Sequence, residues 1–121
     1  RGSRAYVARH RKEVGAMVLL DYVANKGLSL PREEGSDPDL WRRLRAAAKR
    51  VGVQRAFPDT TTSEVFDDHS AFAEAGIPAI DLIDFDYRYA DTARDTVDKV
   101  SPRSLDVAGE AVTELLRSWP R

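Results

Sequence analysis

Val14-Gly15-Ala16-Met17-Val18-Leu19-Leu20 is a continuous apolar run that stops at Asp21. Its length suits a strand covered on both faces, as in parallel sheets flanked by helices. A second run, Ile77-Pro78-Ala79-Ile80-Asp81-Leu82-Ile83, has the same character, with Pro78 tolerated near its start. Between the two, Asp37 and Pro38 have the chemistry of an N-cap and a first helical residue. Leu40, Leu44, Ala47 and Val51 then form an apolar stripe, and Gly52 stops the helix. Arg42, Arg43, Arg45, Lys49 and Arg50 take its other face, which reads as a solvated surface because no aromatic residues interleave with the charges.

Working outward, residues 25–35 read as a loop, 53–57 as a weak strand and 58–63 as a polar turn. Asp67 or Asp68 can cap a short helix that runs to Ala75 and ends at Gly76. Ser101 and Pro102 open a last helix, with Leu105, Ala108, Val112, Leu115 and Trp119 as its buried stripe. Strands alternating with helices predict an α/β fold, a layered sheet with helices on its faces.

The composition sets bounds. With 121 residues the chain is enough for one domain. It is 42% hydrophobic and 32% charged, as an ordinary globular protein is. Nineteen Lys plus Arg against 20 Asp plus Glu leave no global field for nucleic acid or anionic lipid. No apolar run approaches the ~18 residues of a membrane span. The absence of cysteine excludes disulfides, thiolate metal sites and cysteine nucleophiles. The opening Arg1-Gly2-Ser3-Arg4 and the basic stretch to Lys12 read as an interior piece of a longer polypeptide, so residues 1–121 are expected to be a single domain or a C-terminal segment of one.

Ligands of open α/β sheets gather at the carboxyl ends of strands. Three acidic groups fall there: Asp21, the Asp67-Asp68-His69 step, and Asp84, Asp86 and Asp91 beyond the second strand. Carboxylates and imidazole bind zinc and act as acids or bases. Each also has a plain structural reading: Asp21 as a strand end, Asp67-Asp68 as a helix cap, His69 as a satisfied structural histidine. Spacing alone gives an acidic site and no reaction.

The segments Asp67-Asp68-His69-Ser70-Ala71-Phe72 and Glu74-Ala75-Gly76-Ile77-Pro78-Ala79, then Asp84-Phe85-Asp86-Tyr87-Arg88-Tyr89-Ala90-Asp91-Thr92 with Asp95-Thr96-Val97-Asp98-Lys99-Val100, follow a strand ending Leu19-Leu20-Asp21. In that order they resemble the M28 zinc peptidases and the related glutaminyl-peptide cyclotransferases, over nearly the whole chain. The resemblance implies the C-terminal portion of a three-layer αβα sandwich around a mostly parallel or mixed sheet. It implies a zinc metallohydrolase or a cyclase acting on peptide N-termini, often secreted or periplasmic.

Carried over by residue, the resemblance makes Asp21 a ligand of a second zinc in aminopeptidases, or part of a hydrogen-bond network beside the single zinc of cyclases. Asp67 matches a further aspartate of that network, so Asp21 and Asp67 are the candidate catalytic residues, with Asp68 and His69 in support. Asp91 stands where the family places a zinc-binding histidine, making Asp21 and Asp91 the candidate metal ligands. Ala90 replaces an aromatic residue of the cyclase pocket; Tyr87 and Ala90 are the candidate substrate-binding positions. The family's His-x-Asp, its Asp before a Ser-Gly turn and its acidic pair have no counterpart here. The expectation is therefore weak or absent zinc binding and no turnover by this chain alone, which needs its missing half or another chain. The alternative is a non-catalytic pseudoenzyme, or a binding or structural module that completes a partner chain.

Overall fold

Parallel pairing of the two apolar runs makes the centre of the fold. In the computed structural model, which describes residues 2–120, β1 (Met17–Asp21) lies beside β4 (Ala79–Ile83), with Leu19 opposite Asp81 and Asp21 opposite Ile83. Two shorter strands, β2 (Arg32–Glu33) and β3 (Thr61–Thr62), form a second parallel pair. The helices are α1 (Gly2–His10), α2 (Pro38–Arg50), α3 (Asp68–Glu74) and α4 (Pro102–Arg117).

Alternation along the strands sorts the helices into layers. Val18, Ile80 and Leu82 point into a core with Leu40, Trp41, Leu44, Ala47 and Ala48 of α2 and Ala111 and Leu115 of α4. Met17 and Ala79 point the other way, against Val7 of α1 and Ala71 and Phe72 of α3. The result is an αβα arrangement with α2 and α4 on one face and α1 and α3 on the other. No helix among the described residues is long and apolar enough to cross a membrane.

β4 is buried along its whole length, whereas β1 is only partly covered and Leu20 is 43% exposed. Within these residues the first apolar run is therefore not covered on both faces. Among the described residues β1 pairs with β4 on one side only, while the outer side of β4 is covered by the chain entering α2. There Asp37 N–H donates to Ala79 O at 2.9 Å, and Asp81 N–H donates to Ser36 Oγ at 2.9 Å.

Other local expectations also change. Residues 53–57 form a 3-10 turn (Gln54–Ala56) that sinks Val53 and Phe57 into the core, not a strand. The expected loop 25–35 contains β2, the polar turn 58–63 contains β3, and the basic N-terminal stretch is helical. On α4 the buried stripe is Ser104, Ala108, Ala111 and Leu115, while Leu105 faces solvent and Trp119 lies past the helix end. Small residues win the buried positions because Ala47 and Ala48 of α2 and Ala111 of α4 share one core, where a close approach leaves no room for bulk.

The corrected stripe is testable by urea unfolding of the intact protein. Ala111→Leu overpacks the α2–α4 contact and should cost about 1–3 kcal/mol. Leu105→Ala, on the solvent side, should stay within about 0.5 kcal/mol. Equal losses at the two positions would rule this register out.

Candidate functional site

Asp21 ends β1, and the next residue, Tyr22, turns the chain away with φ 47°, in the left-handed region. Asp67 sits at the N-cap of α3, where its side chain accepts from Asp68 N–H at 2.7 Å and Ser70 Oγ accepts from Asp67 N–H at 3.2 Å. This reciprocal box holds the Asp67 backbone at the start of the helix. The Asp21 side chain lies near Asp67 at this end of the sheet. Burial first, then contact with Asp67 and the field of Asp67 and Asp91, raises the Asp21 carboxyl above its usual range.

Asp91 also has a left-handed backbone, φ 56°, and Tyr22 Oη donates to its Oδ1 at 3.2 Å. Burial and the Asp91 contact together raise the Tyr22 phenol. Asp21, Asp67 and Asp91 thus share one electrostatic neighbourhood at the carboxyl end of the β1–β4 pair. Tyr87 stands edge-on to Tyr22, with centroids 6.4 Å apart, and its hydroxyl donates to Asp95 Oδ1 at 2.8 Å. Desolvation and that bond push its phenol up to about 12. Ala90 N–H donates to Tyr87 O at 3.1 Å, which makes the Tyr87–Ala90 step a tight turn. Asp68 is exposed and accepts from Ser3 Oγ at 2.7 Å, away from the acidic group. Asp84 is buried, accepting from Asn25 Nδ2 at 2.8 Å and Ser29 N–H at 3.0 Å, and so serves the loop after β1.

His69 is fully buried and turned toward residues that sequence reasoning passed over. Its Nε2 lies 3.1 Å from Glu33 Oε2, and its Nδ1 lies 3.7 Å from Asp81 Oδ2. Glu33 was hidden in an apparent loop. Asp81 carried a signal: a charged residue inside an apolar strand needs a reason. Desolvation, then the fields of Asp67, Asp21 and Glu33, push the Asp81 carboxyl up to about 7.

A zinc ion does not fit this set on its own. Among the described residues no three His, Asp or Glu side chains converge as a metal cluster. Asp21 faces Asp67, Asp91 is engaged by Tyr22, and the one nearby imidazole is committed to Glu33. Two carboxylates without imidazole fall short of the about three protein ligands of a catalytic zinc.

The Asp81 carboxyl gives a pH prediction. Its ordinary value of 3.8 applies to the unfolded chain, so between about 4 and about 7 the folded state holds the extra proton. Stability therefore falls as pH rises through that window and is lowest above it. Asp81→Asn removes this dependence, and its stability relative to the parent should rise by on the order of 4 kcal/mol between pH 4 and pH 8. Parallel urea curves for the two proteins at both pH values would refute the raised carboxyl.

Comparison with known proteins places the fold. A glutaminyl cyclase from an Acidobacteriales bacterium superposes with TM-score 0.89 at 35% identity, covering 96% of this chain and 44% of that one. The Fimbriiglobus ruber glutaminyl cyclase gives 0.87 at 32%, covering 98% and 44%. A leucine aminopeptidase precursor from Bacteroides thetaiotaomicron, at 24% identity, shares the fold with TM-score 0.88 and coverage of 98% and 44%. The chain thus spans less than half the length of these solved structures. No match was found among curated proteins. The family model described as Peptidase family M28 matches residues 1–116, and with that the chain belongs to peptidase family M28.

Proposed function

We propose that this chain is the C-terminal part of an M28 metallohydrolase domain that acts on peptide N-termini, as an aminopeptidase or a glutaminyl cyclase. The observation that carries the reading is the placement of Asp21 beside Asp67 and Asp91 at the carboxyl end of parallel strands, where burial and these neighbours raise the Asp21 carboxyl. Asp21 and Asp67 are the catalytic carboxyls of this half, and a paired carboxyl and carboxylate suit holding or moving one proton. In the aminopeptidase reading Asp21 and Asp91 are the contribution toward zinc; in the cyclase reading Asp21 stays in the network with Asp67 and Asp91 alone contributes, the remaining ligands coming from outside these residues. Tyr87 and Ala90 edge the substrate pocket. Two neighbours above 30% identity are glutaminyl cyclases, which supports cyclase chemistry over hydrolysis. The 121 residues alone have no turnover and require the rest of the domain, or another chain, against the unpaired side of β1.

One observation favours a second reading, a non-catalytic module. Asp91 is bonded to Tyr22, and its neighbour is the small Ala90.

The test is the intact protein assayed for ammonia release from N-terminal glutaminyl peptides and for release of N-terminal residues. Asp21→Asn and Asp67→Asn should each lower kcat/KM by about 10²–10⁴-fold without changing the circular dichroism spectrum. Turnover that survives both substitutions would remove these residues from the chemistry. No turnover on either substrate class, with no zinc in the purified intact protein, would establish the non-catalytic module instead.

A further inference from the structure

The buried acids and imidazole behind the Asp21–Asp67 pair pose a question of hydrogen placement. Glu33 receives four donors on its two oxygens: Gly35 N–H at 2.8 Å, Val65 N–H at 2.9 Å, Ser36 Oγ at 2.9 Å and His69 Nε2 at 3.1 Å. That is the pattern of a carboxylate, which accepts and does not donate. The hydrogen of that last contact therefore sits on His69 Nε2. The opposite ring nitrogen, Nδ1, has no hydrogen-bond partner, and neither does either oxygen of Asp81. All belong to residues at most 1% exposed, and Nδ1 faces Asp81 Oδ2 across 3.7 Å. A bare imine nitrogen against a bare carboxylate would be two buried acceptors with no donor, an arrangement that costs the full desolvation of both.

We propose that one proton resides between His69 Nδ1 and Asp81 Oδ2, and that His69, clamped between Asp81 and Glu33, is the positioning residue for Asp67. The proton count is the same whether imidazolium donates to carboxylate or a carboxylic acid donates to imidazole. Either form supplies the missing donor, and closing the gap to hydrogen-bond length takes under about 1 Å of movement.

The positioning follows from connectivity. His69 lies in the first turn of α3, two residues after Asp67. Glu33 holds it from β2 and Asp81 from the middle of β4, so the start of α3 is fixed against both pairs of strands. The neighbouring charges do not compete. Asp21 on β1 and Asp67 on α3 face Asp81, while Asp68 and Glu74 turn outward to Ser3 and Arg4 of α1. Among the described residues no Lys or Arg forms an ion pair with Glu33, Asp81, Asp21 or Asp67. A shared proton is thus the available relief for this acidic interior. The inference about Asp67 rests on the proposed function, but the proton itself does not.

The experiment is nitrogen NMR of the intact protein labelled at histidine, with the half-buried surface His10, the chain's other histidine, as internal reference. At pH 6 the expected result is an exchange-protected, far-downfield proton coupled to the His69 ring and lost in Asp81→Asn. His69 Nδ1 resonating as a bare imine, with no such proton at any pH where the protein is folded, would overturn the proposal. The second arm compares amide exchange at Asp68–Phe72 at pH 8. Asp81→Asn keeps a donor for Nδ1 and should hold protection within about threefold of the parent at pH 6. Asp81→Leu, apolar and of similar size, should lose it by at least about tenfold. If Leu protects as well as Asn, the site merely fills space and the clamp is wrong. Both arms read out without turnover, so an inactive protein would sink the proposed function and leave the clamp standing.

Discussion

The side chain of Glu33 is the point on which the rest of the architecture turns. A wholly buried carboxylate is costly unless its lone pairs are filled, and this one takes four donors from four different residues. Those donors come from the turn after β2, the residue that covers the outer side of β4, the segment leading into α3, and α3 itself. Gly35 is part of the same solution. A Cβ there would meet Glu33 Oε1 at 3.0 Å, so a side chain at the residue whose N–H the carboxylate accepts would press on that carboxylate. Losing any one donor exposes the others to an unpaired buried charge, which is why such a network behaves as a unit.

From that anchor the acidic end of the sheet becomes intelligible. Ser36 Oγ donates to Glu33 and accepts from Asp81 N–H, so the entry to α2 doubles as an edge partner for β4. With that side covered, β4 can be apolar on both faces and still carry Asp81 inward. The direction of Asp81 is fixed by strand alternation: it shares the α1–α3 face with Asp21 and Leu19, opposite Ile80 and Leu82. Carboxyls from β1, β4 and α3 are thereby drawn into one low-dielectric neighbourhood. The raised Asp21 and Asp81 carboxyls are its electrostatic consequence.

What the sequence revealed divides along physical lines. The two apolar runs, the caps at Asp37, Asp67 and Ser101, and the α/β alternation were legible because each rests on contacts local in the chain. Of the two cap candidates, Asp67 is the N-cap of α3, and β1 ends at Asp21, where the apolar run stops. Glu33 was not legible, since nothing near Arg32 marks a two-residue strand that pairs with the distant Thr61–Thr62. The helix stripes were displaced for a related reason. Reading them by bulk selected Val51 and Leu105, which the tertiary fit leaves exposed, and passed over Ala48 and Ala111. Asp81 was visible as an anomaly, a charge within an apolar strand, but its meaning depends on His69 arriving from another layer.

The loop beyond β4 is held by a different device. Tyr22 and Asp91 are both in the left-handed region, where a side-chain-bearing residue is strained by on the order of 1–3 kcal/mol. The two residues are bonded to each other, phenol to carboxylate. Around them, Lys26 N–H donates to Lys99 O and Ser101 N–H to Ala24 O, closing the loop after β1 onto the entrance of α4. Two strained residues joined across a closed loop hold each other more firmly than either would be held alone, because relaxing one breaks the bond that orients the other. The cost is accepted at the point where Asp21 leaves the sheet. Relaxed turns there would let Asp91 swing away from Asp21, and the acidic group would lose the member supplied by the chain beyond β4.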